Sequence, residues 1–235
     1  MNQRFTAACV FILLIFALHA YAQEEGGPVR LDARRHAPPA AATRAVPIAA
    51  PREVQDIFTF STLAGFNGAG SADGVGGGAR FFFPQGGAVG PNGTIYVSDA
   101  FNHTIRQVSP SGVVTTIAGL AGVEGSDDGV GANARFSYPQ APAVDRNGNV
   151  YVPDSGNHTI RKINRDGVVS TFAGRAGFVG AIDGGGSNAR FYWPSRGIGV
   201  DSAGNVYVGD TNNNTVRKIN SQDRKSTRLN SSHDS

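Results

Sequence analysis

Three stretches of this chain repeat one phrase at intervals of 55 residues: Ala79–Pro84 reads ARFFFP, Ala134–Pro139 reads ARFSYP and Ala189–Pro194 reads ARFYWP. A second phrase keeps step with the first: IYVSD at Ile95–Asp99, VYVPD at Val150–Asp154 and VYVGD at Val206–Asp210, with one residue inserted in the last copy. A third begins at Asn102 (NHTIRQV), Asn157 (NHTIRKI) and Asn213 (NNTVRKI). Period is read before any local pattern, because a chain built of copies must bury each copy against its neighbours. Within a copy the grammar is β. Short β-branched and aromatic runs are bounded by Gly, Asn and Asp, with hairpin signals at Asn92-Gly93 and Asn147-Gly148 and turn signals at Ser111-Gly112 and Asp166-Gly167. The spacing predicts four strands per unit, about 86–90, 94–98, 103–109 and 112–117 in the first copy. No helical period appears between residues 57 and 222.

Four short antiparallel strands per long repeat make one blade of a β-propeller, whose two faces are buried only by adjacent blades. The phrases G(N)xYVxD, NHTIRKI and the glycine-rich insert DGxGxxARFxxP resemble the NHL-repeat family of β-propellers, from Ile57 to Gln222. That resemblance implies an all-β fold and a ring commonly of six blades, of which this chain carries about three. It also implies a bacterial-type exported protein. Ile57–Gly65 (IFTFSTLAG) matches the fourth strand of a blade. The expectation is therefore a partial propeller whose third blade lacks its outer strand after Gln222, and which would be a monomer if the ring were complete.

Outside the repeats the pattern changes. Arg4, an apolar run from Phe5 to Ala20 and then Ala20-Tyr21-Ala22 read as a secretory signal peptide over residues 1–22, cleaved after Ala22. The run is short against the ~20 apolar residues of a membrane span, so no span is expected after cleavage. Cys9 lies in this segment and the mature chain has no other cysteine. Residues 23–56, rich in Pro, Ala and Arg, read as a flexible linker. Asp223–His233 (DRKSTRLNSSH) resembles the translation of a sequencing-adapter oligonucleotide, so residues 223–235 are expected to be an artefact outside the fold. Setting aside Arg4, Arg224, Lys225, Arg228, Asp223 and Asp234 reduces 21 basic and 18 acidic side chains to 17 and 16. The clustered positive field that nucleic acid requires is missing.

Repetition also sorts the residues that look chemical. A side chain present at one phase in every unit serves what every unit must do, which is fold. His103 and His158 share a phase that Asn214 fills in the third copy, so hydrogen bonding is the expected role and no metal site is implied. Asp99, Asp154 and Asp210 end the second strand, where a carboxylate can accept N–H bonds across the following turn. Arg106, Arg161 and Arg217 follow seven residues later and can pair with carboxylates. In the inserts, Asp73, Asp128 and Asp183 stand seven residues before Arg80, Arg135 and Arg190, which suggests loops tied by an Asp–Arg contact. One carboxylate per loop is too few for calcium, and no phosphate loop is present. No cofactor is implied.

Residues that break the repeat are the recognition candidates, since aromatic residues and Arg are enriched at binding surfaces. They are Trp193, Arg196, Arg175, Glu124 and Phe101. The leading expectation is an exported, secreted or periplasmic, non-catalytic module that binds protein or glycan. The alternative is a propeller-type hydrolase or lyase with active-site residues elsewhere in the ring. No catalytic residue is assigned.

Overall fold

In a computed structural model of the chain, residues 59–222 and 225–229 are described. The signal-peptide and linker readings fall on residues 1–56, outside that range. The repeats form one compact unit, Ser61–Ser235. Its described residues are β-strands joined by turns and single-turn 3-10 helices, with no α-helix.

Each repeat is one antiparallel sheet. The first contains β1 (Gly74–Val75), β2 (Pro84–Val89), β3 (Ile95–Asp99), β4 (Thr104–Val108) and β5 (Val113–Ala118), in the order β1-β5-β4-β3-β2. The second repeats that order with β6 (Gly129–Val130), β10 (Val168–Gly174), β9 (Thr159–Ile163), β8 (Val150–Asp154) and β7 (Ala143–Val144). The third does so with β11 (Gly184–Gly185), β15 (Lys225–Arg228), β14 (Thr215–Ile219), β13 (Val206–Asp210) and β12 (Pro194–Val200).

The structure departs from expectation in several places. Each sheet has five strands: two residues of the glycine-rich insert pair with the outer strand, Gly74 opposite Val114 and Val75 opposite Val113. Two residues carry no alternating pattern, so this strand left no trace in the sequence. At the Asn92-Gly93 turn only Gly93 takes positive φ, at 75°, and its N–H donates to the Gly90 carbonyl. That is a type I turn closed by a left-handed glycine, not a turn with two left-handed residues. Thr59–Leu63, expected to form a strand, forms none.

The third sheet has its outer strand. Lys225–Arg228 pairs with β14 through Lys218 opposite Thr227 and Ile219 opposite Ser226. The expectation that the fold stops at Gln222 is therefore corrected, because ladder pairing is carried by backbone groups that any extended segment supplies. The pairing has a cost in side chains. Ser226 stands where Val114 and Val169 stand in the other sheets, and all three are buried. Changing Ser226→Val should raise stability by about 1 kcal/mol by restoring apolar burial. Arg217 would lose its bond to the Ser226 hydroxyl but keep the Ile182 carbonyl and Asp183. A urea titration would check it.

The sheets stack face to face through one repeated joint. Between the first and second, Ile105 and Ala118 meet Ala134, Phe136, Val150, Val152, Ile163 and Val169. Between the second and third, Tyr151, Ile160, Phe172 and Ala173 meet Ala189, Phe191, Val206, Val208 and Ile219. This burial is what fixes which residues reach the ends of the sheets.

Candidate functional site

The residues shared by every copy make a framework inside each sheet. In the second sheet Arg161 is fully buried, with Nη1 donating to Asp154 Oδ2 at 2.9 Å and to the Arg135 carbonyl at 2.8 Å. Its Nη2 donates to Asp128 Oδ1 at 2.7 Å and to the Asp127 carbonyl at 2.9 Å. Below it lies the Phe136 ring, 5.1 Å from Cζ. Asp154 also accepts from the Ser137 N–H and the Asn157 side-chain amide. Burial pushes the Asp154 carboxyl up to about 6 against the pull of Arg161. Arg106 with Asp99 and Asp73, and Arg217 with Asp210 and Asp183, repeat the pattern.

Two sequence expectations are corrected here. Asp99 does not accept from N–H groups of the following turn. Its backbone partner is the Phe82 N–H, 17 residues earlier. The insert carboxylates pair with the strand arginine rather than the arginine seven residues on. Arg80 and Arg135 instead donate to nearby carbonyls, such as Gly77 and Ala132. A β-sheet returns distant segments to one place, and sequence spacing alone does not show which arginine arrives.

The histidines sit at the end of the sheets where β2, β7 and β12 begin. His103 and His158 take left-handed φ of 57° and 60°, as does Asn214 at 54°. Asn and His are among the residues that tolerate that region, which explains the exchange at this phase. Each imidazole reaches the next sheet. The Tyr138 N–H donates to His103 Nδ1 at 3.3 Å, and the Trp193 N–H to His158 Nδ1 at 3.2 Å. Tyr138 and Trp193 are themselves left-handed, at 49° and 53°. That conformation is unusual for a bulky side chain and persists where surroundings hold it. The two histidines are such holders.

Burial holds both imidazoles below the usual range, with Glu124 pulling His103 the other way. They are neutral at pH 7, as an Nδ1 acceptor requires. Because the folded value is lowered, this contribution is present above the unfolded value of ~6.5 and is lost as pH falls through the folded one. His158→Asn should cost under about 1 kcal/mol, while His158→Val should cost about 1–2 kcal/mol more, because a β-branched residue resists left-handed φ. Thermal unfolding of the two variants side by side checks this.

At the same end the symmetry-breaking aromatics come together. Phe101 stacks on Phe83, with centroids 4.7 Å apart, and lies edge-on to Phe82 at 5.1 Å and Tyr138 at 5.7 Å. Tyr138 continues to Trp193 at 6.4 Å. His103 packs edge-on to Tyr138 and His158 lies beside Trp193. The rings form one continuous row across three sheets, each partly exposed. Glu124 accepts from the Ser137 hydroxyl beside Tyr138. Arg175, exposed, lies over the Phe178 ring at 4.1 Å, in the turn that follows β10. Arg196 falls within β12. The sequence singled out Phe101 and Trp193 but missed Phe83 and Tyr138, because an aromatic residue recurs at that phase and repetition masks it. Among the described residues no group of three His, Cys, Asp or Glu side chains is placed to hold a metal ion.

Antiparallel sheets of this kind, stacked through one repeated joint, define part of a β-propeller. The NHL repeat model matches residues 193–219, so that stretch is an NHL repeat, and the chain around it is similar to NHL-repeat β-propellers. It is 31% identical over 140 residues to NHL repeat-containing protein 2 of Bos taurus, covering 55% of this chain and 19% of that protein. It is 36% identical over 96 residues to protein SUPPRESSOR OF QUENCHING 1, chloroplastic, of Arabidopsis thaliana, covering 40% of this chain and 9% of that one. Among solved structures it is similar to an auxiliary nutrient binding protein of Bacteroides thetaiotaomicron. The TM-score there is 0.51 at 28% identity, over 56% of this chain and 36% of that one. The chain thus spans a fifth or less of these curated relatives.

Proposed function

We propose that this chain is an exported, secreted or periplasmic, non-catalytic binding module, and that a glycan docks along the row Phe83–Phe101–Tyr138–Trp193. The row carries the reading. Partly exposed rings from three sheets, two of them held left-handed by histidines, offer apolar faces to the C–H faces of successive sugar rings. Glu124 and Arg175 stand at the same end to meet hydroxyl groups. Similarity to an auxiliary nutrient binding protein agrees with such a role. No helix among the described residues is long and apolar enough to cross a membrane.

Screening the full chain on an immobilised glycan array tests the proposal, with Phe101→Ala and Tyr138→Ala beside it. Wild type should retain a set of extended glycans, and either variant should lose roughly tenfold or more in affinity, as central aromatic anchors do. Equal retention by all three proteins would contradict the site. Cleavage of a retained glycan would contradict the non-catalytic reading, and retention of a protein ligand alone would contradict the ligand class.

A further inference from the structure

A cleft of about 440 Å³ opens into the joint between the first and second sheets, lined by Gly90, Tyr96, Gln107 and Ile117 from one side and by Gly148 and Arg165 from the other. The repeat shows what opens it. Where the first sheet has Ile117, the second has Phe172, which packs edge-on to Tyr151 with centroids 5.2 Å apart. Gln107 takes the place of Lys162, whose ammonium lies over the Tyr151 ring at 5.6 Å. Gly90 takes the place of Asp145, which accepts from the Tyr151 hydroxyl at 3.3 Å. Tyr96 therefore meets no carboxylate at that phase, whereas Tyr207 keeps the bond through Asp201. Three smaller residues leave open in one joint the space that larger ones occupy in the next. Tyr151 and Phe172 are buried, and Tyr96 and Ile117 are half-buried.

We propose that this cleft binds a small hydroxylated carboxylate about the size of one sugar ring, with Arg165 meeting the carboxylate and Tyr96 and Gln107 meeting hydroxyl groups. Charge selects the class. Arg165 is the one charged side chain among the described lining residues. Its Nε donates to the Asn147 carbonyl, which ties the guanidinium down and leaves two Nη groups to grip an anion in bidentate fashion. Gly148 makes room for this, since a Cβ there would meet Arg165 Nε at 3.1 Å. Arg165 also breaks the repeat, with Pro110 and Ser221 at its phase. The volume falls in the range of small-molecule sites, roughly 300–1,000 Å³. Gly90 follows β2 and Phe83 precedes it, so the cleft lies at the opposite end of the sheet from the row of rings. The inference does not rest on the glycan reading.

Isothermal titration calorimetry of the full chain with D-glucuronate, D-glucose and D-glucosamine tests this, because the three share a ring and differ in charge. D-glucuronate should bind saturably, and the other two roughly tenfold or more weakly, as loss of a charge-assisted hydrogen bond implies. Arg165→Gln should weaken D-glucuronate by about the same factor. Ile117→Phe should do likewise by filling the cleft with the side chain that the second sheet carries. Each variant should keep the melting temperature of wild type, and Phe101→Ala should bind D-glucuronate as wild type does. Absence of saturable D-glucuronate binding, equal binding of all three sugars, or binding that survives Ile117→Phe would overturn the proposal. So would loss of binding in Phe101→Ala, which would put the acid on the row of rings instead.

Discussion

Arg161→Leu should destabilise the chain by about 3–5 kcal/mol, the cost of removing one partner from a buried ion pair. Asp154 is fully buried and would lose the guanidinium that faces it at 2.9 Å. The Arg135 and Asp127 carbonyls would lose a donor as well. Asp128→Asn, at the half-exposed end of the same network, should cost no more than about 1 kcal/mol. The two differ because one carboxylate is left in a dry interior and the other can turn to water. The acid response of the variant follows with its sign. Burial already raises Asp154 to about 6, and losing Arg161 raises it further. A raised carboxyl binds a proton more tightly folded than unfolded, so stability falls as pH rises through the interval between the unfolded value of ~4 and the folded one. The Arg161→Leu protein should therefore regain stability as pH is lowered from 7 toward 5. Urea titrations at several pH values read both effects.

Phe136→Ala should be comparably severe, at about 3–5 kcal/mol, because a buried ring at a joint leaves a cavity when removed. Phe136 is fully buried between the first and second sheets and supports Arg161 from below. Phe81→Ala should cost clearly less. Phe81 occupies the same phase and lies under Arg106 at 5.0 Å, but it is only partly buried. Thermal unfolding of both variants separates the effect of the joint from that of the residue.

The architecture was legible because it is written three times. A 55-residue period with glycine turns at fixed phase leaves few folds available, and β3, β8 and β13 fall on the runs that marked them. The two-residue strands β1, β6 and β11 were not legible, since pairing so short needs no side-chain pattern. Nor was β15, whose Ser226 sits where the pattern calls for valine. The arginine partner of Asp73 was misassigned because Arg80 is near in sequence while Arg106 is near in space. The site was half legible for a related reason. Phe101 and Trp193 break the repeat and can be found by difference. Phe83 and Tyr138 keep it, and the histidines reveal their use only when each is seen to hold a residue of the next sheet. The proposed site is built both from residues that keep the repeat and from residues that break it.

The repeated residues make the framework, and the row of rings at the aromatic end is the proposed glycan site. Trp193 is the only tryptophan and stands at the end of the row, so its emission reports on the claim directly. Titrating the full chain with a glycan retained on the array should shift Trp193 emission to shorter wavelength as the ring is covered. In Phe101→Ala the same titration should require at least tenfold more glycan, while the melting temperature stays close to that of wild type. Saturable binding that leaves Trp193 emission unchanged, or that is indifferent to Phe101→Ala, would contradict the account.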